Sequence, residues 1–186
     1  LYINWLNTTF NYIFNYKMDI KKYIRDIPNF PKDGILYKDI TPLLGDYKAF
    51  TFVVNEISRN IPKDVTTIVA PESRGFIFAS AVCYNLNKNL VPVRKKGKLP
   101  YKTFDIDYQL EYGTDTFQIH TDSIKPGDKV CIIDDLLATG GTIEAIEELI
   151  QNSQCTISSI SFVIELEKLK GREKLNCDNI TSLISY

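Results

Sequence analysis

At 186 residues, 44% hydrophobic and 24% charged, the chain is long enough for one globular domain with a sizeable core, and its net charge of −1 supplies no global basic field for nucleic acid or an anionic membrane. The single histidine, His120, argues against a histidine-rich metal cluster and leaves a Ser-His-Asp triad only one candidate base, which nearly excludes both. The four cysteines (Cys83, Cys131, Cys155, Cys177) are too dispersed for a C-x-x-C motif, so free thiols in a cytoplasmic protein are the expectation.

Residues 1–17, "LYINWLNTTFNYIFNYK", are aromatic and Asn-rich with one charge. They lack the basic start, apolar centre and small-residue cleavage site of a secretory signal, and they are too short and too polar to span a bilayer. They read as an extension ahead of a single domain over 18–186, which starts at the only methionine, Met18. A short helix is expected over 19–26, followed by the loop "IPNFPKDGILYKDITPLL". Asp46 is placed to cap a helix over 47–59, whose Phe50, Val53, Val54 and Ile57 form one apolar stripe. "TTIVA" (66–70) predicts a buried strand, 75–87 a helix and 90–94 a further strand. From 104 to 119, Phe104, Ile106, Tyr108, Leu110 and Tyr112 alternate with Asp105, Asp107, Gln109 and Glu111. Gly113-Thr114-Asp115 then reverses the chain, so a long hairpin is expected. A strand over 129–133, a helix over 142–152 and a strand over 156–164 follow, and this alternation predicts an α/β fold with a mostly parallel sheet between helices.

The most informative stretch is "VCIIDDLLATGGTIEAIEELI" (130–150). An unbroken apolar run has the character of a strand buried on both faces, and Asp134 and Asp135 fall at its carboxyl end, where open α/β sheets place their ligands. In "ATGGT" (138–142) two glycines permit close backbone approach to a ligand, and the helix that follows turns its first N–H groups and positive dipole end toward the loop. The pattern is neither G-x-x-x-x-G-K-[ST] nor G-x-G-x-x-G, which argues against a nucleoside triphosphate or a dinucleotide. The bland alternative is a strand-turn-helix with a solvated acidic turn. Carboxylates beside a phosphate make poor phosphate ligands but good acceptors for sugar hydroxyls, so a phosphorylated ribose fits. The arrangement resembles the phosphoribosyl pyrophosphate (PRPP) motif of type I phosphoribosyltransferases.

Other segments sharpen that resemblance. "FPKDGILYKDITPLL", "ESRGFIFA", "VPVRKKGKLP", "LEYGTD" and "ELEKLKGREKL" occur in the order found in adenine phosphoribosyltransferases, over roughly residues 19–186. Read alone, Glu72-Ser73-Arg74-Gly75 is a helix start whose amides and guanidinium suit an anion, and Arg94 to Lys98 is a charge run of the kind that is usually solvated. The resemblance implies a type I fold with a hood over about 27–45 and a lid over about 100–120, a homodimer, and conversion of adenine and PRPP to AMP and pyrophosphate in purine salvage. Mg²⁺ would be held mainly by PRPP and water, with no direct protein ligand. It implies catalytic roles for Glu111, Asp134, Asp135 and Arg74, with the two aspartates on the ribose hydroxyls. Ala138, Thr139, Gly140, Gly141 and Thr142 would take the 5′-phosphate. Glu72, Ser73, Arg74, Gly75, Arg94 and Lys98 would take pyrophosphate, with a cis peptide at Glu72–Ser73. Leu36, Tyr37, Lys38 and Tyr112 would take adenine. The chain departs from the family's common pattern at Lys38, where arginine is usual, and at Asp33 and Lys96, where proline is frequent. Two other readings remain at this point: a phosphoribosyltransferase for another purine, and a non-catalytic PRPP-sensing regulator. Residues 1–45 show no helix-turn-helix or basic domain of the kind the regulator would need.

Overall fold

The structure, a computed structural model, describes residues 18–109 and 114–186. Two compact units divide between Phe52 and Val53. In the first, a 3-10 turn over Ile20–Tyr23 precedes a two-stranded antiparallel ribbon, β1 (Arg25–Pro28) and β2 (Leu36–Asp39). The helix expected over 19–26 is therefore reduced to a single turn. Helix propensity there is a weak preference, and pairing of Arg25 with Asp39 and of Asp26 with Lys38 in the ladder overrides it. Two ion pairs reinforce the ribbon, Arg25–Asp39 at 3.5 Å and Lys38–Asp26 at 2.7 Å. Helix α1 (Thr41–Gly45) follows, opened by Asp39 Oδ1 accepting the Thr41 N–H at 2.9 Å. Helix α2 (Tyr47–Asn60) runs across the division. Asp46 caps it as anticipated, with Oδ1 accepting the N–H groups of Lys48 and Ala49 at 2.9 Å. Val53, Val54 and Ile57 of its apolar stripe are buried.

The second unit is built on a seven-stranded sheet. Its strands are β3 (Thr67–Pro71), β4 (Asn89–Lys95), β5 (Thr103–Gln109), β6 (Thr114–His120), β7 (Lys129–Leu137), β8 (Thr156–Glu165) and β9 (Ile180–Ser185), in the order β5-β6-β4-β3-β7-β8-β9. From β4 to β9 the neighbours are parallel, and β6 runs antiparallel to both β4 and β5. All five residues of β3 are buried, as are Val130 to Ile133 of β7, which is why these strands read as continuous apolar runs. Helix α3 (Arg74–Leu86) packs against β3 and β7 through buried Phe78, Ala79 and Val82. Helix α4 (Gly141–Asn152) buries Ile143, Ile146, Leu149 and Ile150 in one cluster with Val130, Ile132, Ile160 and Phe162.

The hairpin has Thr103↔His120 through Gln109↔Thr114 in register. Thr114 and Asp115, expected in the reversal, instead lie in β6. Its tip, including Glu111 and Tyr112, lies outside the described residues. The arms are pinned by Tyr108 stacked on Phe117 (centroids 4.3 Å apart), by Thr116 donating to Asp107 at 2.7 Å, and by Gln118 donating to Asp105 at 3.0 Å.

The chain after β8 was not anticipated. Two 3-10 turns, Glu167–Leu169 and Gly171–Lys174, lead back to β9. Arg172 grips Glu165 with Nε (3.1 Å) and Nη2 (2.5 Å) and donates to the Ile180 carbonyl at 2.9 Å. The Arg172 hydrogen bonds hold the Glu165 carboxyl below its ordinary pKa. Buried Glu147 on α4 accepts the backbone N–H groups of Asn176 (2.9 Å) and Cys177 (3.0 Å). All four cysteines are free thiols. Among the described residues no helix is long and apolar enough to cross a membrane.

Candidate active site

The carboxyl ends of β3 and β7 build the site. Strand β7 runs on to Leu137 rather than stopping at 133, because β8 pairs with it as far as Leu137↔Glu165. Asp134 and Asp135 are thus strand residues with fixed backbone, not a solvated turn. Asp134 Oδ1 accepts the Asp135 N–H at 2.8 Å, and Arg74 Nη2 lies 2.8 Å from Asp135 Oδ2. Burial, and then the neighbouring Asp135 charge, push the Asp134 carboxyl well above the ordinary carboxylate range. Burial also raises Asp135, with the Arg74 charge pulling the other way. Raised carboxyl pKa values beside a guanidinium in a cleft are a common mark of a functional site.

Arg74, Asp134, Asp135 and residues 136–143 line one pocket of about 220 Å³. Gly140 stands at the N-cap of α4 with φ +84°, and its carbonyl accepts the N–H groups of Ile143 (3.0 Å) and Glu144 (2.9 Å). The first-turn N–H groups of Gly141 and Thr142 have no intrahelical acceptor, as at any helix start, and so suit an anion. The two glycines differ in what they permit. A Cβ on Gly141 would meet nothing within 4 Å, whereas one on Gly140 would lie 2.4 Å from the Gly171 carbonyl oxygen. Whatever approaches the loop, glycine at 140 is required by its positive φ and by the backbone packed on it.

Across the sheet, the Glu72–Ser73 peptide is cis, as the resemblance implied. Helix α3 starts at Arg74 with Ser73 at its N-cap. The Glu72 N–H donates to the Val93 carbonyl at 2.9 Å, so that amide is not available to an anion as the sequence reading supposed. Its carboxylate instead holds Arg94 Nε at 2.5 Å, and the Arg94 guanidinium lies 5.9 Å from the Phe76 ring centroid. Gly75 lets α3 pass close to β7, for a Cβ there would stand 2.9 Å from Asp134 Oδ1 and 3.0 Å from the Ile133 carbonyl. Lys98 is exposed in the turn after β4, its N–H donating to Lys95, and neither it nor Arg94 lines the 220 Å³ pocket.

Within the first unit, Leu36 on β2 is exposed, and the Tyr37 ring meets Phe30 edge-on at 5.1 Å. Lys38 is buried, with its ammonium on Asp26, so that charge serves the ribbon.

Residues 38–184, a range that crosses both units, match the family model described as the phosphoribosyl transferase domain. An adenine phosphoribosyltransferase from Clostridium botulinum is 51% identical over 91% of this chain and 99% of its own length. The chain belongs to the adenine phosphoribosyltransferase family. Among solved structures of the adenine phosphoribosyltransferase family, that from Thermoanaerobacter pseudethanolicus is 47% identical with a TM-score of 0.87, covering 90% of this chain and 98% of its own. The Saccharomyces cerevisiae enzyme, solved with an imino-altritol bisphosphate and adenine, is 36% identical with a TM-score of 0.83, covering 89% of this chain and 97% of its own. The fold is that of a type I phosphoribosyltransferase, with its mostly parallel sheet and flanking helices.

Two residues with a structural hand in the site carried no assignment in the sequence reading. Gly171 packs its backbone against residues 138–140, and Glu147 ties α4 to the chain at 176–177. The signal for Gly171 was a lone glycine in the charged run "EKLKGREK"; a buried glutamate on α4 left none.

Proposed function

We propose that the chain transfers the 5-phosphoribosyl group of PRPP to adenine, releasing AMP and pyrophosphate in purine salvage. The observation that carries this reading is the pocket in which Asp134, Asp135 and Arg74 face the loop 138–142 at the start of α4. In this reading the 5′-phosphate lies on the N–H groups of the loop and the Thr142 hydroxyl, and the aspartates accept the ribose hydroxyls. Both carboxylates place negative charge where the ribose becomes cationic as the glycosidic bond breaks. Arg74 and Arg94, already oriented by Asp135 and Glu72, set positive charge beside the departing pyrophosphate, and Lys98 adds to it. Glu72 serves there through Arg94 rather than through its own amide, and Gly75 through the room it leaves Asp134. Bound to PRPP, Mg²⁺ supplies charge to the leaving pyrophosphate. The hard oxygens of substrate, water and the pocket carboxylates suit it, and Asp134 and Asp135 would meet it through water.

The two units act as one catalytic domain from about residue 18, a reading supported by a family match that crosses their division. The ribbon segment 34–40 acts as the hood, with Leu36, Tyr37 and Lys38 contributing main-chain groups to adenine and Tyr37 its ring. A main-chain carbonyl facing the exocyclic position accepts the amine of adenine and rejects an oxo group. The hairpin acts as the lid that excludes water from the cationic centre, bringing Glu111 to assist proton loss from the purine and Tyr112 over the ring. A homodimer is supported by exposed Ile77 and Tyr84, which are seven residues apart on α3 and so share a face (40% and 89% exposed). Four free thiols support a reducing, cytoplasmic setting.

The test is pyrophosphate release from PRPP and Mg²⁺ with and without adenine. Release that depends on adenine and yields AMP is expected. Binding of PRPP without turnover would favour the regulator instead.

A further inference from the structure

Gly171 lies far along the chain from the loop 138–142, beyond β8, and has no part in the proposed reaction as described so far. It is buried, and the space beside its α-carbon is closed by the loop itself. A Cβ there would stand 2.2 Å from the Ala138 carbonyl oxygen, 2.9 Å from the Gly140 nitrogen and 3.0 Å from Leu137 Cδ1. The contact is reciprocal, since a Cβ on Gly140 would stand 2.4 Å from the Gly171 carbonyl oxygen and 3.2 Å from its α-carbon. Two glycine backbones therefore interlock with no side chain between them. Gly171 is not among the glycines of positive φ, so it is lack of room that demands glycine there.

The segment bearing Gly171 is fastened on both sides. Before it, the Leu166 N–H donates to the Leu137 carbonyl at 2.9 Å. After it, Arg172 grips Glu165 and the Ile180 carbonyl, and Glu147 holds the chain at Asn176 and Cys177. The strap thus rests on the same strand and helix that flank the loop.

We infer that Gly171 is a positioning residue for the phosphate loop: its backbone is the wall that fixes Ala138 to Gly140, and with them the direction of the N–H groups at the start of α4. The inference rests on the proposal that this loop takes the 5′-phosphate. A bound phosphate is present in substrate and transition state alike, so a displaced loop removes uniform binding, raising KM for PRPP while leaving kcat nearly unchanged.

Gly171→Ala tests this on the full chain, with amide hydrogen exchange, AMP calorimetry and steady-state kinetics as readouts. Exchange across 138–142 should quicken, AMP affinity should fall and KM for PRPP should rise, each by roughly tenfold, below the ~10²-fold that follows a 1 Å misplacement at a reacting centre. Gly127→Ala is the control for mere destabilisation. Its φ is +87° and a Cβ would meet nothing within 4 Å, so it loses stability by backbone strain without touching the loop, and KM should not move. Should Gly171→Ala not fold, Arg172→Gln loosens the strap without adding atoms to the loop, and the same changes in smaller measure are expected. Unchanged exchange at 138–142 and unchanged KM in the folded variant would overturn the inference. A wild-type chain that binds no AMP while Gly171→Ala still quickens exchange at 138–142 would leave the interlock standing and remove the phosphate reading.

Discussion

Gly75→Ala probes how closely the site is assembled. The new methyl would lie 2.9 Å from Asp134 Oδ1, 3.0 Å from the Ile133 carbonyl oxygen and 3.2 Å from Pro71 Cδ, whereas ordinary contact begins near 3.4 Å. One of these neighbours is backbone in a buried strand and another a ring, so neither yields easily. Either Asp134 turns aside or the first turn of α3 backs away by about half an ångström. Overpacking of this kind costs about 1–3 kcal/mol. For a chain of this length each kcal/mol lowers Tm by roughly 2–4 °C, so a fall of about 2–12 °C is expected. Because Asp134 faces the ribose in the proposed complex, a shift of that size should also lower kcat, by about tenfold if a 1 Å error costs ~10²-fold. The loop 138–142 is untouched, so AMP affinity should change far less. Thermal melts, calorimetric AMP binding and initial rates on one preparation measure all three. A variant with wild-type Tm and wild-type kcat would refute the reasoning, because nothing would then be packed where Gly75 meets Asp134.

Three further outcomes are expected. Glu111→Gln should lower kcat by about 10²-fold or more with PRPP binding nearly intact; an unchanged kcat would remove Glu111 from the catalytic set. Asp135→Asn should cost kcat more than AMP affinity, since its charge matters most when the ribose is cationic, and loss of AMP binding in a folded variant would contradict that. Asp134 and Asp135 are raised above the ordinary aspartate value of 3.8 in the folded chain, so above that value the folded state binds more protons than the unfolded. Their contribution to stability is therefore full below about 3.8 and lost as pH rises through the raised folded values. Asp134→Asn should accordingly melt higher than wild type at pH 7, with the gap closing toward pH 4; a gap that widens on acidification would count against it.

What was legible in the sequence is what local pattern specifies. The apolar run into Asp134-Asp135 marked a buried strand, "ATGGT" marked a tight strand-to-helix passage, and Asp46 marked a cap, each within a few residues of its cause. What escaped depends on partners distant in the chain. Arg25–Pro28 is a strand only because Leu36–Asp39 pairs with it, and β9 forms only because β8 offers a parallel edge to "ITSLIS", a run too short and polar to declare itself. The two glycines of the loop look alike in sequence. Only Gly171, brought back by the strap, separates Gly140, which has no room for a side chain, from Gly141, which has ample. Likewise Lys38 stands in the segment expected to meet adenine, but its ammonium is committed to Asp26, a pairing that the ribbon register creates.

The central claim is most directly tested by the specificity constants of the full chain for adenine, hypoxanthine and guanine, measured with saturating PRPP and Mg²⁺. Adenine should be preferred by about 10²-fold or more, because a main-chain acceptor aimed at the amine is left unpaired by an oxo group. Comparable constants for adenine and hypoxanthine would contradict the account.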